Sequence, residues 1–320
     1  MIFRRCFLAA ILALTAIGAA PADSIVLRST PIALNPDDPQ SQRLGKLAWL
    51  GGLHITSADK RFGGYSALET APGGRLVSVS DLGHWFVFRP VLDAGGKLVG
   101  VSEGEIEPLR DDRGHPFSGK AMSDAESLRR DPIQGGFLVA FERHHRVLRY
   151  RTIGGPGIPI ATPEEIKSQP DNGGIEAMAA FSDGRLLLIS EQAQAENGDL
   201  KAWLRVGEDW HKLSYAMGGN FLPTDAAVTH AGGLLVLERS FNFLTREVGA
   251  RLVRVPAQRV APGGRIHGET LAEWGKPYSV DNMEGLAVAR GPGDSTLLWI
   301  ISDDNQSRRQ RTLLMLFRLE

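Results

Sequence analysis

The chain has 320 residues, with 36 Lys and Arg against 37 Asp and Glu, so its formal net charge is −1 at pH 7. This balance argues against a nucleic-acid-binding protein, which usually carries a clear excess of basic residues. The single cysteine, Cys6, excludes a disulfide-stabilised scaffold and any cysteine-based zinc finger.

Residues 1–22 have the pattern of a secretory signal peptide. An Arg-Arg pair precedes an apolar run over residues 6–17, and small residues follow up to Ala22. This run is shorter than the roughly 20 residues that a membrane-spanning helix requires. We therefore expect cleavage after Ala20 or Ala22 and export to the periplasm or the medium, with no stable membrane span afterwards. The alternative is an uncleaved anchor.

After an N-terminal extension predicted over residues 23–44, one domain is predicted over residues 45–320, and a unit recurs five times within it. Each unit has a leading acid, a turn marked by Gly or Asp, an apolar run and a trailing acid, and successive leading acids are 49 to 59 residues apart. A repeat of this length with three or four short strands is typical of a propeller blade. The leading acids are Glu69, Glu126, Glu176, Asp225 and Glu284, and the trailing acids are Asp81, Glu142, Glu191, Glu238 and Asp303.

The pattern predicts an all-β fold, a β-propeller of five or six blades, with six favoured because several repeats exceed 50 residues. An extra strand over residues 47–55 would pair with the C-terminal blade and close the ring, which leaves no open sheet edge. Alternatively, residues 23–60 contribute to a divergent sixth blade. A pair of β-sandwiches is the structural alternative.

Equivalent positions in a propeller form a ring around its axis, so the five leading acids are predicted to converge. Carboxylates held close together repel one another unless a cation compensates them, and Ca²⁺ prefers six to eight oxygen ligands. We therefore expect these acids to bind Ca²⁺, and we expect no organic cofactor because no dinucleotide fingerprint occurs. The alternative is a structural role, in which the acids accept hydrogen bonds from turn amides.

The trailing acids and their neighbours are expected at one face of the propeller. A mouth containing carboxylates, His and Arg suits a small anionic or ester substrate such as a phosphate ester. No Gly-x-Ser-x-Gly elbow occurs, so hydrolysis would rely on metal-activated water. The candidate catalytic residues are Asp81, Glu142, His144 and Asp303, and the candidate substrate-binding residues are His84, Arg143, Arg239 and Asn305.

Several segments together resemble a known family. They are residues 62–69 (FGGYSALE), 79–81 (VSD), 124–128 (DAESL), 174–178 (GIEAM), 281–286 (DNMEGL) and 302–305 (SDDN). Over about residues 45–320 the chain is similar to the phytase-like family of exported bacterial proteins, described by an "esterase-like activity of phytase". The resemblance implies a β-propeller, calcium dependence and phosphatase or esterase activity.

The chain departs from the well-characterised β-propeller phytases, because it lacks their Asp-Asp-Pro-Ala-rich motif. Residues 37–40 (DDPQ) resemble that motif only superficially, and they lie outside the repeats. This departure counts against phytate hydrolysis. The predicted function is an exported, calcium-assisted hydrolase of phosphate or carboxylate esters, and the alternative is a non-catalytic periplasmic propeller that binds a ligand or acts as a scaffold. The sequence carries no signal for an oligomeric state.

Overall fold

The computed structural model describes residues 22–320, so the predicted signal peptide lies outside the described residues except for Ala22. Nearly all regular structure is β-strand. One short helix, α1, spans Lys120–Ser123, and three 3₁₀ turns span Glu164–Ser168, Ala257–Arg259 and Pro292–Asp294. No helix in this part of the chain is long and apolar enough to cross a membrane.

Twenty-four strands are present between residues 22 and 320. In chain order they are β1 (Asp23–Ile25), β2 (Leu27–Ile32), β3 (Arg43–Leu44), β4 (Leu47–Ser57), β5 (Tyr65–Ala71), β6 (Arg75–Ser80), β7 (His84–Leu92), β8 (Leu98–Pro108), β9 (Ala125–Arg130), β10 (Phe137–Phe141), β11 (Arg146–Tyr150), β12 (Gly157–Pro159), β13 (Ile175–Ala180), β14 (Leu186–Gln194), β15 (Leu200–Val206), β16 (Asp209–Tyr215), β17 (Leu222–Val228), β18 (Leu234–Phe241), β19 (Val248–Val255), β20 (Arg265–Ile266), β21 (Glu269–Trp274), β22 (Asn282–Arg290), β23 (Thr296–Asp303) and β24 (Thr312–Leu319).

The strands form five sheets, which are the blades of a β-propeller. The sheet orders are β1-β8-β7-β6-β5 for blade 1, β12-β11-β10-β9 for blade 2, β13-β14-β15-β16-β20 for blade 3, β17-β18-β19-β21 for blade 4 and β2-β4-β24-β23-β22 for blade 5. Strands β5, β9, β13, β17 and β22 contact one another in a closed ring around the axis, and we call them the inner strands. The all-β propeller prediction is therefore confirmed, with five blades rather than the favoured six.

The blade count follows from the way the N-terminal segment is used. Strand β4 pairs with β24 and strand β2 pairs with β4, so both complete blade 5. Strand β1 pairs with β8 at the outer edge of blade 1. The predicted closing strand over residues 47–55 is confirmed, while the sixth-blade alternative for residues 23–60 is wrong because these residues join sheets that already exist.

Five apolar clusters fill the five spaces between neighbouring blades. Strand β14 shows how one strand supplies two of them, because its side chains alternate between the two faces of the sheet. Leu186 and Leu188 pack towards blade 2, while Leu187 and Ile189 pack towards blade 4. A strand that is buried on both faces has a continuous apolar run, which explains the uninterrupted sequence Leu-Leu-Leu-Ile.

The axis is closed by the buried guanidinium of Arg129, on inner strand β9. Its Nη2 donates to Oδ1 of Asp225, and Asp225 Oδ2 accepts from the backbone N of Leu286 at 2.7 Å. Because every inner strand presents a carbonyl to this point, one guanidinium links all five blades. The accepting carbonyls belong to Leu68, Leu128, Met178, Ala226 and Leu286.

Candidate active site in the central cavity

Each inner strand has a β-bulge near its beginning, where the pairing with the next strand shifts by one residue. A bulge leaves its extra residue unpaired and re-aims the side chain, which places five equivalent positions around the axis. These positions hold three acids, one serine and one threonine. The bulge residues are Ser66, Glu126, Glu176, Thr224 and Glu284.

Two of the five leading acids lie elsewhere. Glu69 is three residues beyond the bulge of its strand, and its carboxylate accepts from the backbone N and the hydroxyl of Thr70 and from the backbone N of Arg130. Asp225 is one residue beyond its bulge and pairs with Arg129. Neither side chain lines the central cavity. The structure therefore brings together only Glu126, Glu176 and Glu284 of the predicted metal ligands.

The trailing acids form a second set of equivalent positions, with one exception in blade 4. The sheet register matches Glu238 to the small buried residues Ser80, Ser190 and Ser302 of other blades. Glu238 accordingly points into the fold, where it accepts from the hydroxyl of Tyr215 and pairs with Arg251. The residue after Glu238 is Arg239, and it occupies the position that an acid holds in the other four blades. The second set is therefore Asp81, Glu142, Glu191, Arg239 and Asp303.

Nine of these ten positions line a cavity of about 1260 Å³ at one end of the axis. The exception is Thr224, which is buried and donates its hydroxyl to the Met283 carbonyl at 2.9 Å. Among the predicted residues, Arg239 has two acid partners there: its Nη2 lies 3.1 Å from Glu191 Oε1 and its Nε lies 3.0 Å from Glu284 Oε1. The predicted site residues that line the cavity are Asp81, Glu126, Glu142, Arg143, Glu176, Arg239, Glu284, Asp303 and Asn305.

The two predicted histidines lie outside the cavity. His144 is exposed on the turn between β10 and β11 and does not line it. His84 begins strand β7 beside Arg61 and Asp59, and burial together with Arg61 lowers its pKa. A site that uses the lining residues therefore has carboxylates, rather than an imidazole, for proton transfer.

Three carboxylates come closest together. Oxygens of Asp124, Glu126 and Glu142 lie within 4.8 Å of one another, and we call this group the blade 2 acid cluster. Glu142 is held in place because its Oε1 accepts from the backbone N of Gly173 and of Gly174, the latter at 2.8 Å. Asp124 is absent from the predicted site, although its position two residues before Glu126 in the DAESL segment is a signal by which it could be found.

Several carboxylate oxygens in the cavity are buried without a hydrogen-bond donor. They are Asp81 Oδ1, Asp124 Oδ1 and Glu284 Oε2, although the Lys120 ammonium forms an ion pair with Asp124 Oδ1 at 3.3 Å. The other oxygens of the two aspartates are engaged, by Lys120 at 2.7 Å for Asp81 and by Arg143 at 2.6 Å for Asp124. A buried acceptor without a donor is costly, and hard oxygen donors of this kind fit a divalent cation. The residues present therefore fit a metal site.

Burial and mutual repulsion hold these carboxyls in their neutral form more strongly than usual. Burial, with the nearby carboxylates, raises the pKa of Glu126 and of Glu176 well above the ordinary value. Burial raises the pKa of Glu284 to about 8, against the opposing charge of Arg239. Burial likewise raises the pKa of Asp303 to about 7. The metal-free cavity therefore binds protons near neutral pH.

These shifts predict that the metal-free protein loses stability as the pH rises from about 5 to 8. The pKa values of Glu284 and Asp303 are above those of the unfolded chain, so the folded state binds more protons in this interval. Their contribution to stability is complete below the unfolded pKa and disappears as the pH passes the folded value. Thermal unfolding in the presence of a chelator should show a falling midpoint.

Two controls accompany this measurement. The variant Glu284→Gln removes one of the titrating groups and should flatten the dependence, while saturating Ca²⁺ should also flatten it because a bound cation favours the ionised carboxylates. A midpoint that rises between pH 5 and 8 in the chelated wild type would contradict the prediction.

Fold and site together define a five-bladed β-propeller with a carboxylate-lined cavity on its axis. The sequence matches the family described as "Phytase-like: Esterase-like activity of phytase" over residues 60–306. The chain therefore belongs to this phytase-like family, as its motifs predicted. No curated protein matches the sequence.

The chain is also similar to several solved structures at low sequence identity. Regucalcin from Agrobacterium tumefaciens strain C58, described as a calcium-binding protein, is 12% identical, with 90% of each chain covered and a TM-score of 0.43. The Cps50 (Swd1) β-propeller domain from Myceliophteria thermophila is 12% identical, with 94% of this chain and 98% of that chain covered and a TM-score of 0.40. A luciferin-regenerating enzyme is 10% identical, with 80% of this chain and 92% of that chain covered and a TM-score of 0.40.

Proposed function

We propose that this protein is an exported, calcium-assisted hydrolase of phosphate or carboxylate esters. The observation that carries the proposal is the blade 2 acid cluster, three carboxylates with oxygens within 4.8 Å in an open cavity. Export is supported by the signal-peptide pattern of residues 1–22. The ester class is supported by membership in the phytase-like family.

The metal would be held by the blade 2 acid cluster together with Glu176 and Glu284. When bound, Ca²⁺ would polarise an ester oxygen and lower the pKa of water. The buried Oε2 of Glu284, which accepts no hydrogen bond, supports this assignment because a cation would satisfy it. Glu142 suits the role of a fixed ligand, since the amides of residues 173 and 174 hold one of its oxygens.

Asp303 is the proposed proton-transfer residue. It lines the cavity, and its Oδ1 accepts from the backbone N of Asn305 at 2.7 Å, which orients the carboxyl group. It would take a proton from the attacking water and return one to the leaving alcohol, while the water oxygen bonds to the phosphoryl or acyl centre and the ester bond breaks. The products are an alcohol and a phosphate or carboxylate, so atoms and charge balance.

A non-catalytic ligand-binding propeller is the second candidate. It is favoured by the structural bonds of some cavity acids, of which those from Glu142 to Gly173 and Gly174 are the clearest. In this alternative the acids hold adjacent blades together and the cavity only binds its ligand. Turnover separates the two candidates.

The hydrolase proposal predicts turnover of 4-nitrophenyl phosphate or 4-nitrophenyl acetate with Ca²⁺ and its loss with a chelator. The variant Asp303→Asn should lower kcat by about 100-fold or more, the usual scale for a general acid–base residue. The matched control Asp209→Asn lies on the outer strand β16 and should keep full activity. If neither ester is hydrolysed with Ca²⁺, or if the chelator has no effect on the rate, the proposal is wrong.

A further inference from the structure

One wall of the central cavity differs in character from the acid-lined remainder. Blades 4 and 5 supply this wall, which carries all the apolar side chains of the cavity lining. We call it the apolar wall. Its apolar residues are Leu222, Phe241, Phe243, Val248 and Val280.

The rim of this wall holds two aromatic rings that are open to solvent. Phe241 is 41% exposed and Phe243 is 86% exposed, and their centroids lie 4.9 Å apart in an edge-to-face pair. Leu244, at the tip of the same loop, is 96% exposed. Exposed apolar groups concentrated at a cavity mouth are typical of a ligand-binding surface.

Hydrogen bonds within the loop hold these rings in position. Asn242 Oδ1 accepts from the backbone N of Leu244 at 2.9 Å and of Thr245 at 3.2 Å, and the backbone N of Arg246 donates to the Asn242 carbonyl at 2.7 Å. An asparagine that bonds to its own turn in this way fixes the local backbone. The aromatic pair is therefore presented by a defined loop conformation.

Three cations without acid partners line the same cavity as the aromatic rings. Arg246, Lys276 and Arg309 line the cavity, and none of them forms an ion pair with an acid in the part of the chain that the structure describes. Arg311 on the same wall differs, because its Nε lies 3.5 Å from Asp281 Oδ2. The three unpaired cations are available to an anionic ligand group.

We infer that the ligand of this cavity is an amphiphilic anionic ester. Its aryl or acyl group packs on Phe241 and Phe243, and its anionic group faces Arg246, Lys276 and Arg309. This inference rests on the proposed function in taking the cavity as the substrate site, and it names the substrate class. A cavity of about 1260 Å³ has room for both parts of such a molecule.

Calorimetric titration with two non-hydrolysable phosphonates tests the inference in the presence of Ca²⁺. The wild type should bind 2-naphthylmethylphosphonate at least about tenfold more tightly than methylphosphonate, because only the first buries apolar area on the rings. The variant Phe243→Ser should lose most of this preference while its affinity for methylphosphonate stays unchanged. The variant Arg309→Gln should weaken the binding of both ligands.

The matched control is Ile133→Ser, since Ile133 is 63% exposed on the turn between β9 and β10, away from the cavity lining. It should bind both phosphonates like the wild type. Equal affinities in the wild type, or a naphthyl preference that survives Phe243→Ser, would overturn the inference. Binding to phosphatidylglycerol vesicles that Phe243→Ser abolishes, without any naphthyl preference, would assign the loop to a lipid surface and also overturn it.

The affinity measurement separates this inference from the hydrolase proposal. A clear naphthyl preference with no hydrolysis of any ester would reject the hydrolase and leave the ligand class standing. Hydrolysis that depends on Ca²⁺ with no naphthyl preference would support the hydrolase and reject the proposed ligand class.

Discussion

Replacing Arg129 with methionine is expected to lower the free energy of unfolding by about 3–5 kcal/mol, the usual cost of removing one partner of a buried ion pair. Its side chain is 3% exposed, and its guanidinium joins Asp225 to carbonyls of all five inner strands. Without it, these carbonyls lose their donor on the axis, and each buried acceptor that loses a partner adds to the cost. Urea-induced unfolding provides the measurement.

A matched control comes from an ion pair on the surface. In the pair of Arg290 with Asp294 the side chains are 58% and 80% exposed, so Arg290→Met should change the unfolding free energy by less than about 1 kcal/mol. The double variant Arg129→Met with Asp225→Asn should recover part of the loss, because burial already raises the pKa of Asp225 to about 7 and disfavours its charge. Equal effects of Arg129→Met and Arg290→Met would show that the axial guanidinium is dispensable.

Calcium is expected to stabilise the wild type by about 2.7 kcal/mol at a concentration 100 times its Kd, and Glu126→Gln should remove this response. The same variant should raise the stability of the metal-free protein. The reason is that burial and the neighbouring Asp124 and Glu142 raise the pKa of Glu126, so the metal-free protein must take up a proton there when it folds near neutral pH, and an amide removes this cost. Thermal unfolding with Ca²⁺ and with a chelator measures both effects in one experiment.

The two opposite changes are diagnostic, since a purely structural glutamate would lose stability in both conditions when replaced. Glu69→Gln provides the comparison, because Glu69 bonds to Thr70 and Arg130 outside the cavity and should leave the calcium response intact. A calcium response that disappears in Glu69→Gln and survives in Glu126→Gln would reject the blade 2 acid cluster as the metal site.

Much of the fold could be predicted from the repeats alone. Blades are buried on both faces, so their strands have apolar runs such as residues 186–189, and their turns have Gly or Asp at regular spacing. The closing strand over residues 47–55 could also be predicted, because an open sheet edge at the C-terminal blade would need a partner. The favoured count of six was wrong because spacing cannot distinguish a long blade from an additional one.

The site was predicted less completely, because a bulge changes which residues are equivalent. Matching acids along the sequence grouped Glu69 and Asp225 with Glu126, although the sheet register makes Ser66 and Thr224 the counterparts of Glu126. One residue of shift turns a strand side chain to the opposite face. The partner of Asp225 could not be inferred either, since Arg129 follows Leu128 in an ordinary strand pattern.

The sequence by itself determined the propeller, the closing strand and the family, because these depend on periodic burial and on short motifs that local chemistry preserves. Only the tertiary structure decided which acids share the cavity, that arginine replaces an acid in blade 4, and that Arg129 closes the axis. The physical reason is that these relations depend on the sheet register and on groups that are far apart in sequence but meet on the axis. Arg129 and the carbonyl of Leu286, 157 residues apart, are one such pair.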